Sequence, residues 1–127
     1  MAKVGLFVDT DVFIDYFNAR GFASILEGGR FTVYYTAVTR KELLAKRGLR
    51  SRERDAILDV LRRHRLIRID QRVAARYGLL RISHPNVSKE DTLIAAAALV
   101  RPLPLLTRNW RHYRRIDDLV LFTGREV

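Results

Sequence analysis

The stretch KVGLFVDTDVFIDYF (Lys3–Phe17) carries the reading on which the fold turns. Its first six residues are a short, apolar, β-rich run, suited to a buried strand. The run ends at Asp9, followed by Thr10 and Asp11, and Val12, Phe13, Tyr16 and Phe17 then supply the apolar side of a short helix over 11–18. A strand leading directly into a helix opens an α/β domain, and the alternation continues down the chain. The pattern predicts a helix over 22–26 stopped by Gly28-Gly29, a strand over 31–35, and a helix over 39–46 ended by Gly48. An amphipathic helix over 51–63 follows, then a strand over 66–69, a helix over 72–80 and a loop at His84-Pro85-Asn86. A strongly apolar helix over 88–99 is broken by Pro102 and Pro104, and short strands over 105–106 and 119–122 close the chain. Strands separated by helices predict an α/β fold with a mainly parallel central sheet flanked by helices, and 127 residues suit a single domain.

Apolar residues make up 48% of the chain and charged residues 30%, the balance of a globular rather than a disordered sequence. There is no cysteine, which excludes disulfide scaffolds, zinc–thiolate sites and cysteine nucleophiles. The longest apolar run, Leu93–Val100, falls far short of a membrane span, and no signal-peptide layout is visible, so the cytoplasm is the expected location.

The net charge of +10 is unevenly placed. Residues 1–39 carry 3 basic and 4 acidic side chains, residues 40–81 carry 14 and 5, and residues 82–127 carry 7 and 5, so the middle third holds +9. Arginine supplies 20 of the 24 basic residues, and its planar fork suits phosphate. Such a field favours a polyanionic partner, nucleic acid or an acidic protein, against the plain alternative of a solvated helical face.

In open α/β sheets, sites form beyond the carboxyl ends of the strands. The polar residues following strands directly are Asp9, Thr10 and Asp11; then Thr36, with Glu42 further along the next helix; then Thr107, Arg108 and Asn109. Asp91 stands in the first turn of the apolar helix that leads into the Leu105-Leu106 strand. Thr39-x-x-Glu42 and Ser88-x-x-Asp91 also read as capping boxes, in which each acid serves its own helix. Asp9 is harder to dismiss, because a carboxylate ending an apolar strand needs a partner or water. Acids gathered in one site repel one another unless a cation neutralises them, and a hard divalent ion with oxygen ligands does so.

Four runs resemble, in order and at suitable separations, the successive motifs of PIN-domain nucleases, and in particular of VapC-type toxins of prokaryotic toxin–antitoxin pairs. They are VDTDVFIDYF (Val8–Phe17), TAVTRKELL (Thr36–Leu44), EDTLIAAAAL (Glu90–Leu99) and LLTRNWRHY (Leu105–Tyr113). The resemblance implies a single PIN-like three-layer domain over 1–127 and a Mg²⁺- or Mn²⁺-dependent endoribonuclease that hydrolyses RNA phosphodiester bonds. It implies metal-binding and catalytic roles for Asp9, Glu42 and Asp91, with Thr10, Asp11, Thr107 and Arg108 around them. It also implies an antitoxin partner and a homodimer. Asp11 stands where the family usually has Asn, and the fourth acid, expected in the TRN-containing motif, is missing. By the resemblance that position falls on His112, just before Tyr113, with Asn109 at the other polar position; neither is a carboxylate, and Asn109 offers a carbonyl oxygen to a metal. Arg47, Arg50, Arg52, Arg54, Arg62, Arg63, Arg65 and Arg68 are the candidates to follow RNA phosphates, and Trp110, Tyr34 and Tyr35 those to stack on bases.

Two other readings stay open. VDTDV also resembles the first motif of haloacid-dehalogenase-type phosphatases, with Asp9 as nucleophile, Asp11 as general acid and Asp117-Asp118 as a later acidic motif. The missing fourth carboxylate points instead to a non-catalytic nucleic-acid or partner-binding module.

Overall fold

The computed structural model describes residues 3–123. β1 (Val4–Val8), β2 (Phe31–Thr36), β3 (Arg65–Ile67) and β4 (Leu105–Leu106) form one sheet in the order β3-β2-β1-β4, with every pairing parallel. The helices are α1 (Thr10–Ala19), α2 (Ala23–Glu27), α3 (Ala37–Leu44), α4 (Ser51–Arg62), α5 (Gln71–Ser83), α6 (Lys89–Val100) and α7 (Trp110–Tyr113). The expected parallel α/β architecture is therefore present. The strand expected over 119–122 is reduced to a bridge at Leu121, made by Leu105 N–H to the Val120 carbonyl and Phe122 N–H to the Leu105 carbonyl, 2.8 Å each. Its partner β4 is itself only two residues long and offers no longer ladder.

Alternation along β1 divides the interior into two cores. Leu6 and Val8 face one layer with Val12, Phe13, Val33, Tyr35, Ile57 and Leu61. Phe7 faces the other with Ile67, Val73, Ile94, Leu105 and Tyr113. The strand is buried on both faces over Leu6–Val8, which explains the unbroken apolar run there, while Val4 at its start stays exposed. In α6, Ala95, Ala96, Ala97 and Ala98 are all essentially inaccessible, so their small side chains let the helix backbone lie close to its neighbours. Gly48 adopts φ +74 in the connection from α3 to α4, a left-handed conformation that L side chains resist.

Parallel pairing puts the carboxyl ends of β1, β2 and β4 on one edge of the sheet. Asp9, Thr36 and Thr107 each follow or end one of these strands. Because β3 runs parallel to β2, α4 must return the chain to the opposite, amino-terminal edge before β3 begins. The two ends of this 12-residue helix are about 18 Å apart.

Ala96→Leu should destabilise the protein by about 1–3 kcal/mol, since the added side chain has no space between α6 and its neighbours. Urea denaturation checks this; an unchanged midpoint would mean that α6 is less tightly packed than its burial indicates.

Candidate active site at the carboxyl edge of the sheet

Asp9 sits where β1 ends and α1 begins, only 5% exposed. Its Oδ1 accepts the Thr10 N–H at 2.8 Å. Its Oδ2 accepts from the Thr107 hydroxyl at 2.9 Å and lies 3.0 Å from the Tyr113 hydroxyl. Asp11, in the first turn of α1, accepts the Arg108 N–H at 3.2 and 3.1 Å, and its Oδ2 is 3.3 Å from the Thr107 hydroxyl. One loop, that following β4, therefore grips both acids of the VDTD run. Asn109 donates its backbone N–H to Thr107 Oγ1 at 3.0 Å and so braces the same loop.

Glu42 reaches the site from α3. The capping box expected at Thr39-x-x-Glu42 is absent: α3 starts at Ala37, Thr36 is its N-cap residue, and Thr39 is buried within the helix. Glu42 Oε1 instead accepts from the Thr10 hydroxyl at 2.8 Å. With that proton spent, Thr39 Oγ1, 2.8 Å away, donates to Thr10. Glu42 is thus coupled to the residue beside Asp9, not to its own helix start.

Asp91 lies in the first turn of α6, where Ser88 Oγ accepts the Asp91 N–H at 3.1 Å. Serine does the capping and leaves the Asp91 carboxylate free of that task. Its Oδ1 lies 3.0 Å from the Tyr113 hydroxyl and its Oδ2 3.0 Å from His112 Nδ1. Of the two polar candidates in the TRNWRHY run, His112 touches an acid through its side chain, whereas Asn109 acts through its backbone. Tyr113 is the residue of this cluster that sequence reasoning passed over. It is wholly buried, and a buried tyrosine needs a partner for its hydroxyl. That requirement was the available signal; here the hydroxyl stands between two carboxylates.

Burial, and then the charge of Asp11, push the Asp9 carboxyl up to about 6 against the hydrogen bonds from Thr107, Thr10 and Tyr113. Burial, Asp9 and Asp91 all push the Tyr113 phenol upward, so it stays protonated and serves as a donor. Neither Asp9 nor Asp91 is paired with a lysine or arginine among the described residues. Carrying the β1–β2 register forward puts Thr36 beside Asp9, and the Thr36 hydroxyl is buried without a partner among the described residues. Uncompensated carboxylates and an orphaned oxygen suit a hard cation. As placed, however, no three His, Asp or Glu side chains among the described residues group closely enough to hold an ion by themselves. Hydroxyls of Thr10, Thr107 and Tyr113 stand between the acids.

The arginine candidates do not form one surface. Arg63 and Arg65 line a cleft of about 720 Å³ with Lys3 and Phe31, which lie at the starts of strands and hence on the edge opposite Asp9. Arg62 is paired with Asp59 at 2.8 Å on exposed α4. Arg47 and Arg50 lie in the α3–α4 connection, Arg52 and Arg54 at the start of α4, and Arg68 just beyond the carboxyl end of β3. Asp118 lines a cleft with Leu103 and Pro104, ahead of β4, and so sits on the amino-terminal edge too. The Asp117-Asp118 pair therefore cannot join Asp9, which removes the acidic motif that the dehalogenase-type reading needs.

The family model for the PIN domain matches residues 6–119. Ribonuclease VapC19 of Mycobacterium tuberculosis is 32% identical over 123 residues, spanning 88% of this chain and 94% of its own. Ribonuclease VapC1 of Methanocaldococcus jannaschii is 27% identical over 121 residues, spanning 91% and 84%. Among solved structures, a toxin–antitoxin complex from Klebsiella pneumoniae contains a chain that matches with a TM-score of 0.76 at 25% identity, spanning 91% of this chain and 95% of that one.

The raised Asp9 pKa makes a stability prediction for the metal-free protein. The folded value of about 6 exceeds the reference value of 3.8, so folding favours the protonated form. The associated stability is complete below about pH 4 and is lost as pH rises through 6. Asp9→Asn keeps the shape without the charge, and in EDTA at pH 7 it should be more stable than wild type by on the order of 2–3 kcal/mol, with little difference at pH 4. Denaturant titrations at the two pH values measure this; equal stability at both would show that Asp9 is not penalised by its burial.

Proposed function

Because the chain belongs to the PIN-domain family, in its VapC-type branch, we propose that it is a Mg²⁺- or Mn²⁺-dependent endoribonuclease with Asp9, Glu42 and Asp91 as its metal-binding acids. The observation that carries this reading is the convergence of Asp9 and Asp91 on one hydroxyl, with no lysine or arginine among the described residues paired to either. A bound divalent ion activates water and stabilises charge building on the phosphodiester. Asp9 and Asp91 would hold it. Glu42, hydrogen-bonded to Thr10, would complete the shell or orient the attacking water. Tyr113 spaces the two aspartates, and His112 occupies the position of the missing acid beside Asp91. Thr107 and the Arg108 N–H fix Asp11 at the rim.

The RNA runs along the carboxyl edge, where Arg68 and Arg108 stand closest to the strand ends. Arg63 and Arg65 lie on the other edge and serve a different contact. The partner is an antitoxin. An apolar cleft of about 530 Å³ lined by Ile14, Phe17, Leu43, Leu49 and Ile57 also includes Glu42, so a segment seated there covers the route to the acids. A homodimer fits the exposed Leu79 and Ile82 on α5. No helix among the described residues is long and apolar enough to cross a membrane.

Asp91→Asn should lower RNA cleavage at saturating Mg²⁺ or Mn²⁺ by at least about 100-fold with the fold retained, and EDTA should abolish wild-type cleavage. Retained cleavage would remove Asp91 from the site. Metal-independent RNA binding without cleavage, unchanged by Asp9→Asn, would favour the non-catalytic module instead. His112→Asp should lower the Mg²⁺ concentration needed for half-maximal cleavage, because ligand charge tunes affinity in oxygen-ligand sites. Asn109→Asp should not do so, since that residue braces the loop through its backbone. The reverse pattern in a Mg²⁺ titration would move the vacancy to position 109.

A further inference from the structure

Thr107 and Arg108 form one wall of a cleft of about 620 Å³ whose other sides include Trp110, Phe22 and Phe122. Thr107 also holds Asp9, so the cleft begins one residue from the carboxylate pair. Trp110 is the only tryptophan in the chain, and it is 46% exposed, whereas Tyr113 on the same short helix is fully buried. α7 therefore turns one aromatic side chain into the acids and another outward beside them. The Arg111 and Arg114 guanidinium carbons lie over the indole ring, 5.4 and 5.5 Å from its centroid, and a base that stacks there takes the place of a guanidinium. The core does not need this indole, and its exposure keeps a large apolar surface in water. An aromatic ring bordered by cations, next to acids that act on a phosphodiester, has the composition of a single-strand stacking platform.

We propose that Trp110 stacks on the base of a nucleotide adjacent to the scissile phosphate in single-stranded RNA, with Arg111 and Arg114 holding the neighbouring phosphates. This rests on the ribonuclease reading above and adds to it a subsite for the strand. Base–aromatic stacking accepts any base, so Trp110 positions the RNA and leaves sequence selection to other contacts. Trp110 acts on substrate placement and takes no part in metal binding.

The single tryptophan makes occupancy of this subsite directly visible. With EDTA present to prevent cleavage, short single-stranded oligo-U and oligo-A RNAs should change the Trp110 fluorescence, saturating at the Kd given by anisotropy of end-labelled RNA. Trp110→Ala should weaken that Kd by about 5- to 150-fold, the range for one stacked base, and Trp110→Phe should restore most of the loss. With metal added, Trp110→Ala should raise KM more than it lowers kcat. RNA binding that leaves the fluorescence unmoved, or an unchanged Kd in Trp110→Ala, overturns the platform. If wild-type protein then still cleaves RNA, the ribonuclease reading survives that loss. A fluorescence response from a protein that no divalent metal makes cleave would instead sink the ribonuclease reading and keep Trp110 as an RNA-binding residue.

Discussion

A buried carboxylate without a counter-charge organises this molecule. Asp9 ends the central strand, takes the first N–H of α1, and is held by Thr107 from the loop after β4 and by Tyr113 from α7. Four elements thus meet on one ionisable group, and every donor they supply is neutral. The chain holds 20 arginines, so cations are not in short supply. Among the described residues, arginines pair with Glu27, Asp59, Asp70 and Asp15, and none pairs with Asp9 or Asp91. A purely structural acid in this position gains from an arginine partner; leaving it unpaired keeps burial energy stored against the ionised form. That energy is recovered only when positive charge arrives from outside the chain.

Tyr113 explains how the metal-free fold tolerates this arrangement. One phenolic proton faces two acceptors, Asp9 Oδ2 and Asp91 Oδ1, each at 3.0 Å. A single O–H serves one of them at a time, so the pair is never fully satisfied while both acids are ionised. Burial first, and then the charge of Asp11, raise the pKa of Asp9 against the pull of the Tyr113 hydroxyl, and a proton on Asp9 relieves both. Proton and cation are in this sense alternative answers to the same excess of negative charge.

The layered architecture was legible because strand and helix periods alternate cleanly, and Leu6–Val8 has the unbroken apolar character of a strand covered on both faces. The first acid was legible for a related reason: Asp9 ends an apolar strand, where a carboxylate needs a partner or water. Glu42 was ambiguous because Thr-x-x-Glu is also a capping signal, and only the true helix start at Ala37, with Thr36 before it, resolves the conflict. Asp91 was ambiguous in the same way, and there Ser88 takes over the capping while the carboxylate turns to Tyr113 and His112. The four-residue α7 and the hydroxyl of Tyr113 escaped because they depend on contacts between residues more than twenty apart, or about a hundred apart for Asp9. No local period encodes such a contact. The strand expected over 119–122 failed for a complementary reason: its sequence is strand-like, but the partner it pairs with is only two residues long.

Charge taught the opposite lesson, because topology divides what composition joins. The middle third of the chain carries +9, and read linearly it is a single basic segment. In space, α4 starts near one edge of the sheet and must end near the other, since β3 is parallel to β2. Its first arginines and its last are therefore separated by the whole helix, and Arg63 and Arg65 open onto a cleft with Lys3 rather than onto Asp9. Positive charge beside the acids comes instead from a segment with little net charge, where Arg108, Arg111 and Arg114 follow β4 directly. Two of these three border Trp110, and the third bonds Asp11 through its backbone N–H and Asp15 through its guanidinium. Electrostatic attraction of a polyanion draws on arginines over the whole protein, whereas Arg108, Arg111 and Arg114, together with Arg68 just beyond β3, are the ones that follow the strand ends where the acids lie.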